Sequence, residues 1–247
     1  MPQGSFGEIR AFNDFTALAS DVTLVAGVND LPGGNGWAAI SENEGTVAEI
    51  VDESGGVIQF TTDTADNDNV CLIAGKFDPS KGPVSFEARF KCPTVITRQA
   101  VYAGLTETMA LGTPVMPAEF ATATMTYNGS GGMLGLVWDA DESGSTDSWR
   151  AVCGDGGAVS NSGNYGANGT TATDAMVADE YDIVRGNLYP SGFGEVWHDE
   201  ELVASGQTSL TASDLVYAVL MLENRTSANE ELQVDYLAAK GVRDWTV

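Results

Sequence analysis

The fold is decided by the run Tyr181-Asp-Ile-Val-Arg185, the run Glu195-Val-Trp-His198 and, near the end of the chain, Leu232-Gln-Val-Asp-Tyr236. In each of them apolar and polar residues alternate, which is the period of a β-strand with one buried face. Between the first two runs, glycine and proline in residues 190–194 interrupt the chain as a hairpin turn does. Short alternating runs separated by such turns predict an antiparallel sheet.

The third run shows the expected division of side chains between the two faces of a strand. Leu232, Val234 and Tyr236 are predicted to lie on one face, and Gln233 and Asp235 on the other. One face is apolar and the other polar, so this strand is expected to cover a core on one side only.

Further strands are predicted upstream. Residues 84–90 alternate cleanly, and residues 101–105, 133–138 and 216–222 are apolar enough to be central strands. Residues 149–153 are expected to pair with residues 133–138 across an acidic turn. No segment keeps a helical period over a dozen residues, so we predict an all-β, two-sheet antiparallel sandwich.

The 247 residues are enough for one large sandwich. Residues 1–35 are the least regular part and are predicted to be an N-terminal arm or a first strand. Residues 36–247 are predicted to form the sandwich domain.

Composition excludes several classes of function. The formal net charge is −24, which makes binding to nucleic acid or to an anionic membrane surface improbable. Neither a signal peptide nor a membrane-spanning apolar stretch is recognisable.

The sequence contains three cysteines, Cys71, Cys92 and Cys153, which is an odd number for a disulfide framework, so we expect buried, reduced thiols. No phosphate-binding or dinucleotide motif is present, and no cofactor is expected.

The order of these elements resembles a known family. It comprises a Phe-Glu-Ala-Arg-Phe strand (86–90), an Ala-Gly-Leu strand (103–105), an apolar strand closed by an acidic hairpin (134–149), the Tyr-Asp-Ile-Val-Arg strand (181–185) and a terminal Val-Asp-Tyr (234–236). This order resembles the concanavalin A-like jelly roll of structural proteins in tailed-phage virions. The resemblance implies a non-enzymatic protein that decorates or cements a phage capsid. Its partners would be the major capsid protein or other virion proteins and further copies of itself, after synthesis in the host bacterial cytoplasm.

Two alternatives belong to the same fold. One is a carbohydrate-binding sandwich on a phage tail or host-recognition structure, which would need exposed aromatic rings beside polar side chains. Its candidates are Trp37, Trp138, Trp149, Trp197 and Trp245, although tryptophans in strands are more often core residues. The other alternative is a polysaccharide hydrolase. Its Glu-x-Asp-x-x-Glu strand is absent, and residues 49–53 have the wrong spacing to place two carboxylates on one face.

An acidic turn is the best metal candidate. Asp139, Asp141, Ser143 and Asp147 echo the spacing of a calcium-binding loop, but Arg150 stands where the bidentate glutamate would be. We therefore expect at most weak calcium binding. The single histidine, His198, is expected in a solvated hairpin turn.

The N-terminal segment supplies the candidate residues for binding a partner. They are Phe6, Ile9, Phe12, Phe15 and Leu18. Their spacing of about three suits a short helix face or an irregular apolar arm that docks on a neighbouring protein. The alternative is that they close the sandwich's own core.

Overall fold

The computed structural model describes residues 8–15, 22–31, 36–50, 55–128, 131–142, 148–155, 158–159, 165, 170–171, 175–211 and 213–242. Among these residues no helix is long and apolar enough to cross a membrane. The elements are β1 (Glu8–Asn13), β2 (Val22–Leu24), β3 (Gly27–Asp30), β4 (Trp37–Ser41), β5 (Gly45–Glu49), β6 (Ile58–Thr61), β7 (Asn69–Phe77), a 3-10 helix (Pro79–Lys81), β8 (Val84–Lys91), β9 (Gln99–Thr106), β10 (Ala118–Ala121), β11 (Thr124–Tyr127), β12 (Gly132–Asp139), β13 (Arg150–Asp155), β14 (Ala158–Val159), β15 (Thr170–Thr171), β16 (Asp182–Leu188), β17 (Phe193–His198), β18 (Glu201–Gln207), β19 (Val216–Asn224) and β20 (Glu231–Val242).

The strands form two large antiparallel sheets and one small hairpin. The front sheet has the order β18-β17-β16-β8-β20-β6-β5-β2, and β1 pairs with the C-terminal half of β20. The back sheet has the order β14-β13-β12-β9-β19-β7-β4-β3, and β15 pairs with β13. Neighbours in each sheet are often far apart in sequence. The predicted class, an all-β antiparallel sandwich, is confirmed, as is the pairing of β12 with β13.

The main core lies between the two sheets. In β8, Val84, Phe86, Ala88 and Phe90 are fully buried in it, as their alternation predicted. The Trp149 ring meets the Phe90 ring edge-on, with centroids 5.8 Å apart. Each large apolar side chain that leaves water in this way stabilises the fold by roughly 1.5–3 kcal/mol.

A second apolar layer covers the outer face of the back sheet. Tyr102, Val137 and Met221 point away from the main core and are buried under the β10–β11 hairpin, whose Phe120 and Met125 pack on them. The front sheet has no comparable cover among the described residues. Within the part of the chain that the structure describes, the outer face of the back sheet is therefore covered and that of the front sheet is open.

A bulge in β20 changes which of its residues face the core. The register with β8 shifts between Val234 and Tyr236, so Leu237 is buried and Tyr236 is half-buried. The prediction that Tyr236 shares a face with Leu232 and Val234 is therefore wrong. An extra residue in one strand moves every later side chain to the opposite face.

The N-terminal segment enters both sheets. β1 and β2 belong to the front sheet and β3 to the back sheet. Phe12 lies in β1 and is 52% exposed, whereas Phe15 is 1% exposed in the main core. Ile9 lies in β1 opposite Gly241 of β20. Phe6 and Leu18 lie outside the described residues. β1 is thus a strand of the front sheet, in agreement with the first-strand alternative, and residues 8–13 do not form the helix face that the spacing had suggested.

The three cysteines are buried and free, as predicted. Burial raises the pKa of Cys71 and of Cys92 well above the usual value for a thiol. Neither thiol is therefore ionised at neutral pH, and neither is suited to nucleophilic or metal-binding chemistry.

Candidate functional site

The open outer face of the front sheet, here called the front face, carries side chains that alternate with the core residues. One row of paired residues crosses the sheet through β17, β16, β8, β20 and β1, and consists of Trp197, Arg185, Glu87, Ala238 and Phe12. The next row consists of Glu195, Asn187, Ser85, Lys240 and Arg10. Aromatic, basic and hydrogen-bonding groups thus share one flat surface.

The centre of the front face is hollowed into a groove. Its volume is about 510 Å³, and its lining includes Phe12, Ser85, Arg185 and Ala238. Ser85 and Ala238 have short side chains between longer neighbours, which leaves the depression. The Phe12 ring lies 6.3 Å from the Tyr236 ring, so that two aromatic side chains stand at one side. The groove is open, and most of the outward side chains that line it are polar or charged, namely Arg10, Ser85, Glu87, Arg185, Asn187 and Lys240.

Hydrogen bonds and ring contacts hold the side chains around the groove. The Arg185 guanidinium lies 4.5 Å from the centroid of the Trp197 ring, and the Arg89 guanidinium lies 3.8 Å from that of Tyr181. Such stacking restricts both partners to one orientation. The Tyr236 hydroxyl donates a hydrogen bond of 2.7 Å to Glu87. Burial and this carboxylate raise the pKa of Tyr236, so the hydroxyl stays protonated and remains a donor.

His198 belongs to a buried polar cluster behind the front face. It is 2% exposed, and its Nε2 lies 2.8 Å from Oδ1 of Asp182, to which Trp149 Nε1 also donates at 3.0 Å. Burial raises the pKa of Asp182, and the bond to His198 works against that rise. The prediction of a solvated turn histidine is wrong, because His198 is the last residue of β17 and alternates inward.

The same cluster is the one metal-like grouping that the described residues provide. It consists of Asp182, His198 and Asp199. Asp182 Oδ1 is already shared by two donors, and three ligands fall short of the six or more oxygens that calcium takes. The arrangement is that of a core hydrogen-bond network.

The predicted calcium loop begins in a different buried cluster. Asp139 accepts hydrogen bonds from Arg225 Nη2 at 2.6 Å, from Arg225 Nε at 3.1 Å and from the backbone of Phe120 and Asp141. Both of its oxygens are therefore occupied, and the guanidinium stands where a cation would. Asp141 Oδ2 lies 4.0 Å from Arg225 Nε. Ser143 and Asp147 lie outside the described residues. That this loop binds calcium at most weakly stays a prediction.

Arg225 also contacts Glu119 and Glu223, so that one cation contacts several carboxyl groups. Burial raises the pKa of Glu223 to about 8, with Glu119 and Asp139 adding to the effect and Arg225 opposing it. Glu223 is thus mainly protonated at neutral pH. A neutral acid beside an ion pair is a way to bury several carboxyl groups together.

The five tryptophans that were candidates for carbohydrate binding lie in different parts of the protein. Trp37, Trp138 and Trp149 lie in the main core, while Trp197 lies on the front face and Trp245 falls outside the described residues. Sequence reasoning missed Arg10, Arg185 and Lys240 as site residues. The sequence does place each of these residues at an outward position of an alternating strand. That the three share one groove depends on pairings between strands that are distant in sequence, which the sequence pattern does not contain.

No protein-family model matches the chain, and no curated protein matches it in sequence. The structure is similar to SO2946, a protein of unknown function from Shewanella oneidensis MR-1, with a TM-score of 0.60, 13% identity and coverage of 98% of this chain and 90% of that one. It is also similar to the Emp47p carbohydrate recognition domain, with a TM-score of 0.55, 11% identity and coverage of 95% and 98%.

The VIP36 exoplasmic/lumenal domain, solved in a Ca²⁺- and Man2-bound form, is a third similar structure. Its TM-score is 0.51 at 10% identity, with 91% of this chain and 89% of that chain covered. The chain therefore has a concanavalin A-like β-sandwich fold. Identities this low establish the fold alone.

Proposed function

We propose that the protein binds carbohydrate, and that the front-face groove is its glycan site. The groove carries the proposal because the exposed Phe12 ring lines it together with the polar side chains of Ser85, Glu87 and Asn187. The Tyr236 ring lies beside the groove, 6.3 Å from the Phe12 ring. A pyranose has apolar C–H faces that suit aromatic rings and a rim of hydroxyls that suits such donors and acceptors. Two of the similar structures, the Emp47p carbohydrate recognition domain and the Man2-bound VIP36 domain, support this interpretation over capsid decoration.

Binding without hydrolysis fits the groove better than catalysis. Glycoside hydrolysis needs two carboxyl groups on either side of the scissile bond, about 5–10 Å apart. Among the described residues, Glu87 is the sole carboxylate lining the groove, and it accepts a hydrogen bond from Tyr236. We therefore propose a non-enzymatic binding domain.

A glycan array with the purified protein tests the proposal, followed by titration calorimetry on the best ligands. Phe12→Ala should weaken binding about tenfold or more, which is the effect of removing a contact worth ~1.4 kcal/mol. Val28→Ala is the matched control, because Val28 is 51% exposed on β3 of the back sheet. Absence of binding to every glycan, or equal affinities for both variants, would contradict the proposal.

A place on a phage particle is a separate proposal that rests on the sequence resemblance alone. It includes contact with the major capsid protein and assembly into a homo-oligomer. Mass-spectrometric counting of copies on purified particles tests it. Hundreds of copies would indicate head decoration, about a dozen a tail or host-recognition structure, and absence would refute a virion role.

A further inference from the structure

Two pairs of aromatic side chains lie at separate places on the front face. The Phe12 and Tyr236 rings, on β1 and β20, lie 6.3 Å apart. The Tyr189 and Phe193 rings lie 6.2 Å apart at the hairpin that joins β16 to β17. Phe12 is 52% exposed and Phe193 is 37% exposed, so each pair offers ring surface to solvent. The first pair belongs to the site proposed above, whereas the second has no role in it.

The second pair continues the groove beyond its lining residues on β16. Asn187 lines the groove, and Tyr189 is the next outward residue after it, since Leu188 between them is buried in the main core. The Tyr189 hydroxyl donates a hydrogen bond of 2.9 Å to Glu195, which is paired with Asn187 across the hairpin. This bond holds the Tyr189 ring in place before any ligand binds, which lowers the entropy cost of using it as a contact surface.

The two aromatic pairs are too far apart for one sugar ring to contact both. Phe12 is in the same row as Arg185, and β1, β20, β8 and β16 are successive strands, so three strand spacings separate the two residues. Tyr189 lies two outward positions further along β16 than Arg185. With about 4.8 Å between strands and about 6.7 Å between outward positions, the backbone positions of Phe12 and Tyr189 are roughly 20 Å apart. A ligand that uses both pairs must therefore be a chain of several sugars.

Small and hydrogen-bonding side chains line the path between the two pairs. From Phe12 to Tyr189 the path runs diagonally across the strands. It passes beside Ala238, over Ser85 and beside Asn187, all of which line the groove. The short Ala238 and Ser85 side chains leave room for a ligand on the sheet, and hydroxyl and amide groups suit hydrogen bonds to sugar hydroxyls.

We propose that the groove binds an internal stretch of a linear polysaccharide, with one sugar against Phe12 and another, several units along the chain, against Tyr189 and Phe193. The inference rests on the proposed carbohydrate-binding function and specifies its ligand as an extended chain. Chains of the cellulose type, whose pyranoses are β-linked, are extended and present ring faces along their length, which suits a flat sheet surface. A chain bound at one pair meets the second pair at a high effective concentration, so the two contacts reinforce each other.

Titration calorimetry with cello-, xylo-, manno- and chito-oligosaccharides tests the inference, with each series running from the disaccharide to the hexasaccharide. In the series that binds best, the hexasaccharide should have at least tenfold higher affinity than the disaccharide, because only the longer chain reaches both aromatic pairs. In the double variant Tyr189→Ala/Phe193→Ala this gain should disappear. Leu215→Ala is the matched control and should keep the gain, because Leu215 is 42% exposed and precedes β19 of the back sheet.

The outcomes separate this inference from the proposed function. Equal affinities for the disaccharide and the hexasaccharide, or a gain that persists in the double variant, would overturn the inference, whereas the binding itself would uphold the proposed function. Binding on the glycan array to branched or terminal sugars but to none of the four linear series would do the same. Failure to bind any glycan would refute both.

Melting temperatures of all variants establish that losses arise from binding and not from unfolding. If the double variant unfolds, Phe193→Ala alone takes its place, because it removes a single exposed ring. It should lower the gain from disaccharide to hexasaccharide at least threefold, and an undiminished gain would overturn the inference.

Discussion

Replacing Glu223 by glutamine should flatten the dependence of the protein's stability on pH. Glu223 lies at the end of β19, 3% exposed, against Arg225 and close to Asp139. Burial raises its pKa from 4.5 to about 8. The folded protein therefore holds this proton more tightly than the unfolded chain. Glutamine keeps the shape of the neutral acid but has no proton to lose.

The direction and the size of the change in stability with pH follow from that pKa. A raised acid pKa gives stability that is complete below about pH 4.5 and is lost as pH rises towards about 8. Each pH unit in the middle of this window costs about 1.4 kcal/mol. Between pH 6 and 8 the loss is about 2 kcal/mol, which corresponds to a fall in melting temperature of roughly 4–8 °C for a chain of this length.

Urea unfolding at pH 6, 7 and 8 measures the effect in wild type, Glu223→Gln and Glu44→Gln. The last variant removes one charge at an exposed position and should keep the wild-type slope. We expect the free energy of unfolding of Glu223→Gln to fall about 2 kcal/mol less than that of wild type over this range. Profiles that run parallel within about 0.5 kcal/mol would refute a protonated, buried Glu223.

Further predictions concern the core. Gly104→Ala should destabilise the protein by about 2–3 kcal/mol, because the added methyl group would lie 2.6 Å from the Gly135 Cα. Gly186→Ala is the control, since the methyl group added there meets nothing within 4 Å. Thermal melts that show equal destabilisation by the two substitutions would contradict this prediction. His198→Ala should lower the free energy of unfolding in urea at pH 7 by about 2–4 kcal/mol, because it leaves a cavity and removes a hydrogen-bond partner of buried Asp182. A decrease of less than about 0.5 kcal/mol would indicate an exposed histidine. All three thiols should resist Ellman's reagent in the native state and react after denaturation, and rapid native labelling would show that one is accessible.

Local alternation was enough to predict much of the sandwich. In β8 the pattern of Val84, Phe86, Ala88 and Phe90 places four apolar side chains on one face, and the structure buries those four. The pairing of β12 with β13 followed from their closeness in sequence. Both features depend on residues that are near each other in the chain, which is the information that a sequence pattern contains.

The groove could not be predicted in the same way. It joins Arg10, Arg185 and Lys240, which come from three strands far apart in sequence and meet only through the front-sheet order. The bulge before Tyr236 adds a second difficulty, since one extra residue moves this ring from the expected core face to the front face. His198 was misplaced because its acidic neighbours Asp199 and Glu200 indicated a solvated turn, whereas it ends the predicted strand run 195–198 and alternates inward with Val196.

The N-terminal strand links the fold to the proposed site. Phe12 and Phe15 are three residues apart, which would place them on one face of a helix, but β1 turns Phe12 outward and Phe15 enters the core. Asn13 Oδ1 accepts a hydrogen bond from the Phe15 backbone N–H at 2.8 Å, where the chain adopts a left-handed conformation with φ 55°. One short segment thus closes the core and supplies Arg10 and Phe12 to the groove. Deleting it would remove folding and binding contacts together, whereas the exposed Phe12 can be changed alone to examine the binding face.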